Sequence, residues 1–370
     1  MTPKIDRIDI SHHRLALDPP FVASWDSRAR AHFDATIVRV HAGGLTGIGS
    51  GDAMAGFDGL IPLFLGEDAL ALDRHNRVLA NIDFHAGRPW PLDLALWDLA
   101  GKIARLPVWQ LLGGRSRRIR AYASSGTLRD AGAMAEAAER FAGAGFGAMK
   151  IRFHRGDWRA DIAALEAVRA RLGDRLALMV DCNQGWRMPW DTAPPWTLKD
   201  ALQVARALEP LDIFWMEEPL HRADRAGMRA LRGMTPIRIA GAEMARSEAE
   251  LRDLIIEGCL DIVQPDAALS CGITGLRRVA AMAEAHGVVF TPHTWTNGLG
   301  MIANAHLAAG ATNAPFLEFP FDPPEWSPER RDYMLATPVA VDADGWIDLG
   351  EAPGFGVELD EDRLAANQVA

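Results

Sequence analysis

From Ile119 onward the chain alternates short apolar runs with helix-length segments, which commits it to a parallel sheet wound with helices. The runs are IRAYAS, GAMKIRF, LALMVD, DIFWME, IRIAGAE, DIVQPD, VVFTPH and FLEFP. Their branched and large apolar residues suit strands buried on both faces. Segments such as DAGAMAEAAERFAGAG and SEAELRDLIIEG carry apolar residues at helical period between them. Eight runs and seven helical segments fit an α/β fold, a modified TIM barrel of (β/α)7β type with no eighth helix.

Five runs end on charged or titratable residues: Asp181, Glu217, Glu243, Asp266 and His293. In a closed barrel these tips meet on one face. A single strand-end acid is usually a helix N-cap or an ion-pair partner. Five in succession on apolar strands need a shared reason for their burial. Three carboxylates without thiolates favour a hard cation, Mg²⁺ or Mn²⁺, over zinc. His293 then reads as a base, with Asp266 fixing its tautomer and raising its basicity. Lys150 and Arg152 alternate on one strand and share its inward face, while Glu318 ends the eighth run and is placed to donate or accept a proton. Arg152 stays protonated and makes a poor base, so a role in binding a carboxylate or hydroxyls suits it better. Together these residues suit removal of the weakly acidic proton α to a carboxylate, the cation stabilising the charge that develops.

The region before the barrel reads differently. KIDRIDISHHRLAL, HFDATIVRVHA and TGIGSGDA predict an antiparallel meander, and PLDLALWDLAGKIARL predicts a helix ended by Pro107. The division is therefore an α+β capping domain over 1–118, a barrel over 119–320 and a Pro-rich tail over 321–370. Two weak strands in the tail, near VAVDADGWIDL and FGVELDE, predict that it returns to the capping domain.

A net charge of −10 argues against a nucleic-acid or anionic-membrane partner held by bulk electrostatics. No apolar run approaches membrane-spanning length, and the N-terminus reads as a strand, not a signal peptide. Three cysteines, none in CxxC spacing, suit a reducing cytoplasm.

The ordered set KxR, DxNxGW, EEP, GAE, PD, TPH and LEF resembles the mandelate racemase branch of the enolase superfamily, and LALWDLAGKIARLPVWQLLGG resembles that family's approach to the barrel. Enolase-superfamily sites with a Lys or His base and Mg²⁺ are themselves a standard example of such chemistry. The resemblance implies that Asp181, Glu217 and Glu243 hold the metal, Glu217 rather than Glu218 being the ligand of EEP. It implies that Asp266 and His293 are the dyad, that Lys150 and Arg152 stand at the KxK pair, that Asn183 contacts substrate and that Glu318 is the acid opposite the metal. Arg152 departs from the usual second Lys, which favours one-base chemistry from the His293 side. Trp25, Arg28 and Trp295 are further substrate-contact candidates, the first two on one of two capping-domain lids expected near Asp18–Arg30 and Ser50–Gly59. A stretch after Asn183, with Trp186, Trp190 and Trp196, is longer than the resemblance implies by roughly ten residues; it is expected either to wall the active site or to make an oligomer contact, with stiffening of a loop or covering of a subunit edge weighing more.

The expected activity is an acid-sugar dehydratase yielding a 2-keto-3-deoxy acid through an enediolate. A cycloisomerase of lactones or anhydro-sugar acids comes next, then a racemase or epimerase, and last a silent metal-binding barrel. The expected partners are a small carboxylate substrate and other copies of the chain, as a dimer or octamer.

Overall fold

The computed structural model describes residues 2–51, 54, 56–187 and 191–369. Three antiparallel strands open it, β1 (Ile5–Phe21), β2 (Arg30–Ala42) and β3 (Leu45–Gly51), followed by helices α1 (Leu72–Ala86), α2 (Pro91–Ala104) and the short α3 (Val108–Leu111). The barrel strands are β4 (Arg118–Ser124), β5 (Ala148–Arg152), β6 (Ala177–Asp181), β7 (Ile213–Glu217), β8 (Arg238–Gly241), β9 (Ile262–Val263), β10 (Val289–Phe290) and β11 (Leu317–Pro320). Between them run α4 (Ala131–Gly143), α5 (Trp158–Leu172), α6 (Leu198–Leu208), α7 (Arg225–Arg232), α8 (Glu248–Ile256), α9 (Gly272–Ala285) and α10 (Gly298–Gly310). The strand–helix alternation of the sequence is thus realised as a curled parallel sheet, and the helix next after β11 is the four-residue α11 (Pro328–Arg331).

The sheet runs β10-β9-β8-β7-β6-β5-β4-β11. Among the described residues no ladder joins β10 to β11. That seam is held by Thr294, whose hydroxyl donates to the Glu318 carbonyl at 2.7 Å and whose backbone N–H donates to the Glu318 carboxylate at 2.9 Å. The barrel interior is layered. Tyr122, Ala148, Met179, Trp215 and Ala240 form an apolar plug across its middle, with polar side chains above it.

Helix α2 is buried on nearly every side, from Pro91 through Gly101. One face lies on β3, where a Cβ at Gly47 or Gly49 would collide with the carbonyl oxygen of Ala95 or Pro91. The other face meets the barrel, where Trp97 Nε1 donates to Thr274 on α9 at 2.8 Å. Asn297, the N-cap of α10, donates to Ser50 of β3 at 2.7 Å and ties the cap to the barrel top.

Three expectations change. β9 and β10 stop short of Asp266 and His293, because Pro265 and Pro292 have no N–H to continue a ladder, and β8 stops at Gly241 as the chain turns through Ala242 at φ 87°. The tail splits between the two bodies instead of joining one. β12 (Trp346–Asp348) pairs antiparallel with β4, whereas β13 (Gln368–Val369), after α12 (Glu361–Ala366), pairs with β1. FGVELDE forms no strand and contributes a single bridge, Leu359 to Leu335. The first lid is shorter than Asp18–Arg30, because β1 continues to Phe21. In the second, Asp52, Ala53 and Ala55 lie outside the described residues, while Met54 and Phe57 are buried in the cap core. No helix among the described residues is long and apolar enough to cross a membrane.

Candidate active site

Strand alternation places Ser124 (β4), Lys150 and Arg152 (β5), Asp181 (β6), Glu217 (β7) and Glu318 (β11) above the apolar plug. Glu243, Asp266 and His293 join them from the turns just beyond β8, β9 and β10. All eight residues expected from the sequence as metal ligands, dyad, cationic pair and eighth-strand acid are therefore gathered at one end of the barrel, and all but Glu243 are buried.

One carboxylate oxygen from each of Asp181, Glu217 and Glu243 lies within 4.8 Å of the others, a cluster that could hold a metal ion. The donor set is oxygen only, as Mg²⁺ prefers. Glu243 Oε2 is buried with no hydrogen-bond partner, as a carboxylate that lacks its cation would be. Burial, opposed by Lys150 and reinforced by the neighbouring acids, pushes Glu217 up to about 7. So much negative charge in one place calls for a cation. These residues fit the ion.

Lys150 Nζ lies 2.7 Å from Glu217 Oε1, 2.8 Å from Glu318 Oε1 and 3.7 Å from Asp181 Oδ2. Burial alone would lower its pKa, but these carboxylates outweigh it and raise it, so Lys150 is a fixed cation here. Arg152 Nη1 pairs with Asp181 Oδ2 at 2.5 Å and its Nε donates to the Ser125 carbonyl at 3.1 Å. Its guanidinium lies 4.3 Å from the Trp25 ring and 5.4 Å from the Trp295 ring. Trp25 therefore reaches the site from the capping domain, as expected, and with Trp295 it holds Arg152 between aromatic faces. Trp295 is itself fixed by a 2.9 Å hydrogen bond to Ser124 Oγ. Asn183, at φ 52°, sits beside them, and its amide oxygen accepts from Arg152 Nη1 at 3.2 Å once oriented toward that donor.

His293 Nδ1 lies 3.0 Å from Asp266 Oδ2, and its Nε2 lies 3.6 Å from Glu243. Burial pulls the imidazole pKa down, but Glu243, Glu318 and Asp266 overcome it and lift it to about 9. Asp266 is held from behind by the Ala268 N–H at 2.8 Å and Asn304 Nδ2 at 2.9 Å. Glu318 accepts from Lys150, Ser124 and the Thr294 N–H. Burial would raise its pKa, yet Lys150, His293 and Arg152 bring it to about 2.

Arg28 is exposed, and Arg30 faces Trp25 at 5.6 Å while pairing with Asp26. Of the inserted loop, Trp190 lies outside the described residues. Trp186 lines a small pocket with Trp25, His154, Asn183 and Asp191 at the site's edge, so this part of the loop walls the mouth. Sequence reasoning missed Gln264, which donates to Glu217 at 2.9 Å, although its place two residues before Asp266 puts it on the inward face. It also missed Ser124 and Asn304. No local signal marks Asn304, which is brought in by the packing of α10.

Two family models span most of the chain: the mandelate racemase / muconate lactonizing enzyme N-terminal domain matches residues 7–113, and the enolase C-terminal domain-like model matches residues 133–363. The chain belongs to the mandelate racemase / muconate lactonizing enzyme family of the enolase superfamily. Among its relatives is the 3,6-anhydro-alpha-L-galactonate cycloisomerase of Streptomyces coelicolor, 33% identical over 74% of this chain and 70% of that protein. Another is the arabinonate dehydratase of Saccharolobus solfataricus, 30% identical over 72% and 68%. Among solved structures, an L-talarate dehydratase from Polaromonas sp. JS666, complexed with Mg and L-glucarate, superposes with a TM-score of 0.86 at 28% identity, covering 100% of this chain and 98% of that one. A racemase from Streptomyces coelicolor with bound magnesium gives 0.84 at 29% identity, over 99% and 100%. Dehydratases and cycloisomerases of acid sugars both stand among the relatives of this family member.

Proposed function

We propose that this protein is a Mg²⁺-dependent acid-sugar dehydratase whose only base is His293. The observation that carries this reading is the asymmetry of the site. On one side stands an imidazole tied to Asp266; on the other stands Arg152, locked by Asp181, Trp25 and Trp295 as a permanent cation. A reaction with proton transfer on both faces needs two bases, and dehydration needs one.

Asp181, Glu217 and Glu243 are the residues that would hold Mg²⁺. Bound there, the ion supplies electrostatic stabilisation for the charge that develops on the substrate carboxylate as its α proton leaves. Lys150 adds a positive charge beside that carboxylate, and Arg152 orients hydroxyls or a carboxylate through its planar fork. Asp266 holds the proton on His293 Nδ1, and a cation held by Glu243 would cancel part of the negative charge that lifts the imidazole pKa, leaving Nε2 to accept the substrate proton. Protonated His293 then returns a proton to the departing C3 hydroxyl on the same face, so one residue serves as base and acid. The rings of Trp25 and Trp295, packed edge to face at 4.8 Å, restrict water at the mouth.

The cycloisomerase reading has support of its own in the relatives that carry that name, since it too needs a single base. Proton NMR in D₂O, with Mg²⁺ and a panel of aldonic and aldaric acids, separates the two. A 2-keto-3-deoxy acid formed by the native protein and absent with His293→Asn is the expected result. Products only from lactones or anhydro-sugar acids would replace the dehydratase with the cycloisomerase, and exchange that survives His293→Asn would remove His293 as the base.

A further inference from the structure

The opposite end of the barrel, below the apolar plug, holds a cavity of about 320 Å³ lined by Arg120, Arg169, Arg175 and Arg238, with Asp174 and Asp212 as its acids. We infer that it is a binding site for a small dianion, a phosphate group either free or carried on a small metabolite.

The first support is charge. In a chain of net charge −10, four guanidinium groups against two carboxylates make a local positive basin. Several exposed arginines elsewhere pair with close acids: Arg14 with Asp34 at 2.7 Å, Arg171 with Glu139 at 2.7 Å and Arg117 with Glu351 at 3.0 Å. In this cavity, among the described residues, the sole ion pair is Arg169 with the exposed Asp174 at 3.6 Å. Arg175 reaches only the carbonyls of Leu172 and Arg171.

The second support is preorganisation. Arg120 stands over Phe316 at 5.9 Å and Arg238 over Phe214 at 4.7 Å, so the rings back the guanidinium planes and leave N–H edges available. Arg169 is fixed by the carbonyls of Gly173 and Leu211, each at 2.8 Å, while its Nε is buried without a partner. Planar forks of this kind suit phosphate oxygens better than a halide.

The test is titration calorimetry of the Mg²⁺-loaded protein with inorganic phosphate and, separately, glycerol 3-phosphate, at an ionic strength fixed with chloride. Saturable one-to-one binding is expected. Arg238→Gln and Arg175→Gln, both at exposed positions and checked for unchanged thermal unfolding without ligand, should each weaken it roughly tenfold. Arg152→Gln, at the metal end, should leave it unchanged. Equal affinity for the two ligands would assign the site to free phosphate, and tighter glycerol 3-phosphate binding would assign it to a phosphorylated metabolite. No saturable heat, or binding lost in Arg152→Gln and kept in Arg238→Gln, overturns the inference.

Discussion

At the scale of single residues, Arg152 is the most informative side chain. Lysine at this position would keep the charge but could not reach Asp181 and the Ser125 carbonyl at once, and it would lose the guanidinium plane that lies against Trp25 and Trp295. Arg152→Lys should therefore lower kcat/KM by roughly ten- to a hundredfold, about 1.4–3 kcal/mol. Exchange of the substrate α proton should still stop when His293→Asn is added. Exchange that survives in the double variant, followed in D₂O, would instead make the new lysine a base. The inward residues of the strands were legible in the sequence because alternation on apolar strands leaves few places for a charge. Ser124, Asn304 and the Thr294 N–H were not, because each acts on a neighbour distant in sequence: Ser124 on Glu318, Asn304 on Asp266, Thr294 on Glu318. Arg28 was harder to place than the strand residues. A loop residue has no periodicity to orient it, and Arg30 takes the place beside Trp25.

Among elements, the contact of β3 with α2 shows what a glycine can specify. Gly47 and Gly49 let the strand lie directly against the helix backbone, where a methyl group would strike the carbonyl oxygens of Ala95 and Pro91. Gly47→Ala and Gly49→Ala should each destabilise the protein by roughly 1–3 kcal/mol, read as a lower midpoint in urea denaturation. A midpoint equal to that of the native protein would show that the two elements separate at no cost. The sequence announced α2 through its apolar spacing, and it announced all eight barrel strands. It overstated β9 and β10, where a proline removes a ladder donor, and β8, where the chain turns through Ala242.

For the molecule as a whole, long-range polar contacts make the tail part of both bodies. Buried Asp98 on α2 accepts from the Ile48 N–H of β3 at 2.8 Å and from the Phe355 N–H of the tail at 2.7 Å. His306 on α10 accepts from the Trp109 N–H at 3.0 Å through Nδ1, and its Nε2 donates to the Phe355 carbonyl at 3.1 Å. Burial lowers the His306 pKa to about 4, so the folded state favours the neutral ring. Its contribution is complete above the ordinary value near 6.5 and is lost as the pH falls from there through about 4, roughly 3 kcal/mol in all. Denaturation at pH 7 and pH 4.5 should show a smaller acid loss for His306→Gln than for the native protein. Equal losses would remove His306 from the acid response. None of these ties could be read in advance, because the Phe355 partner lies in a stretch whose pattern suggested only a strand. The unladdered seam between β10 and β11 has one more consequence. Glu318 stands beside Lys150 in the proposed site and also clasps the barrel shut through Thr294, so any change of chemistry at that position must be tolerated by the architecture too. Substrate preference is freer to drift at the rim, in Trp25 and the inserted loop, than at this clasp.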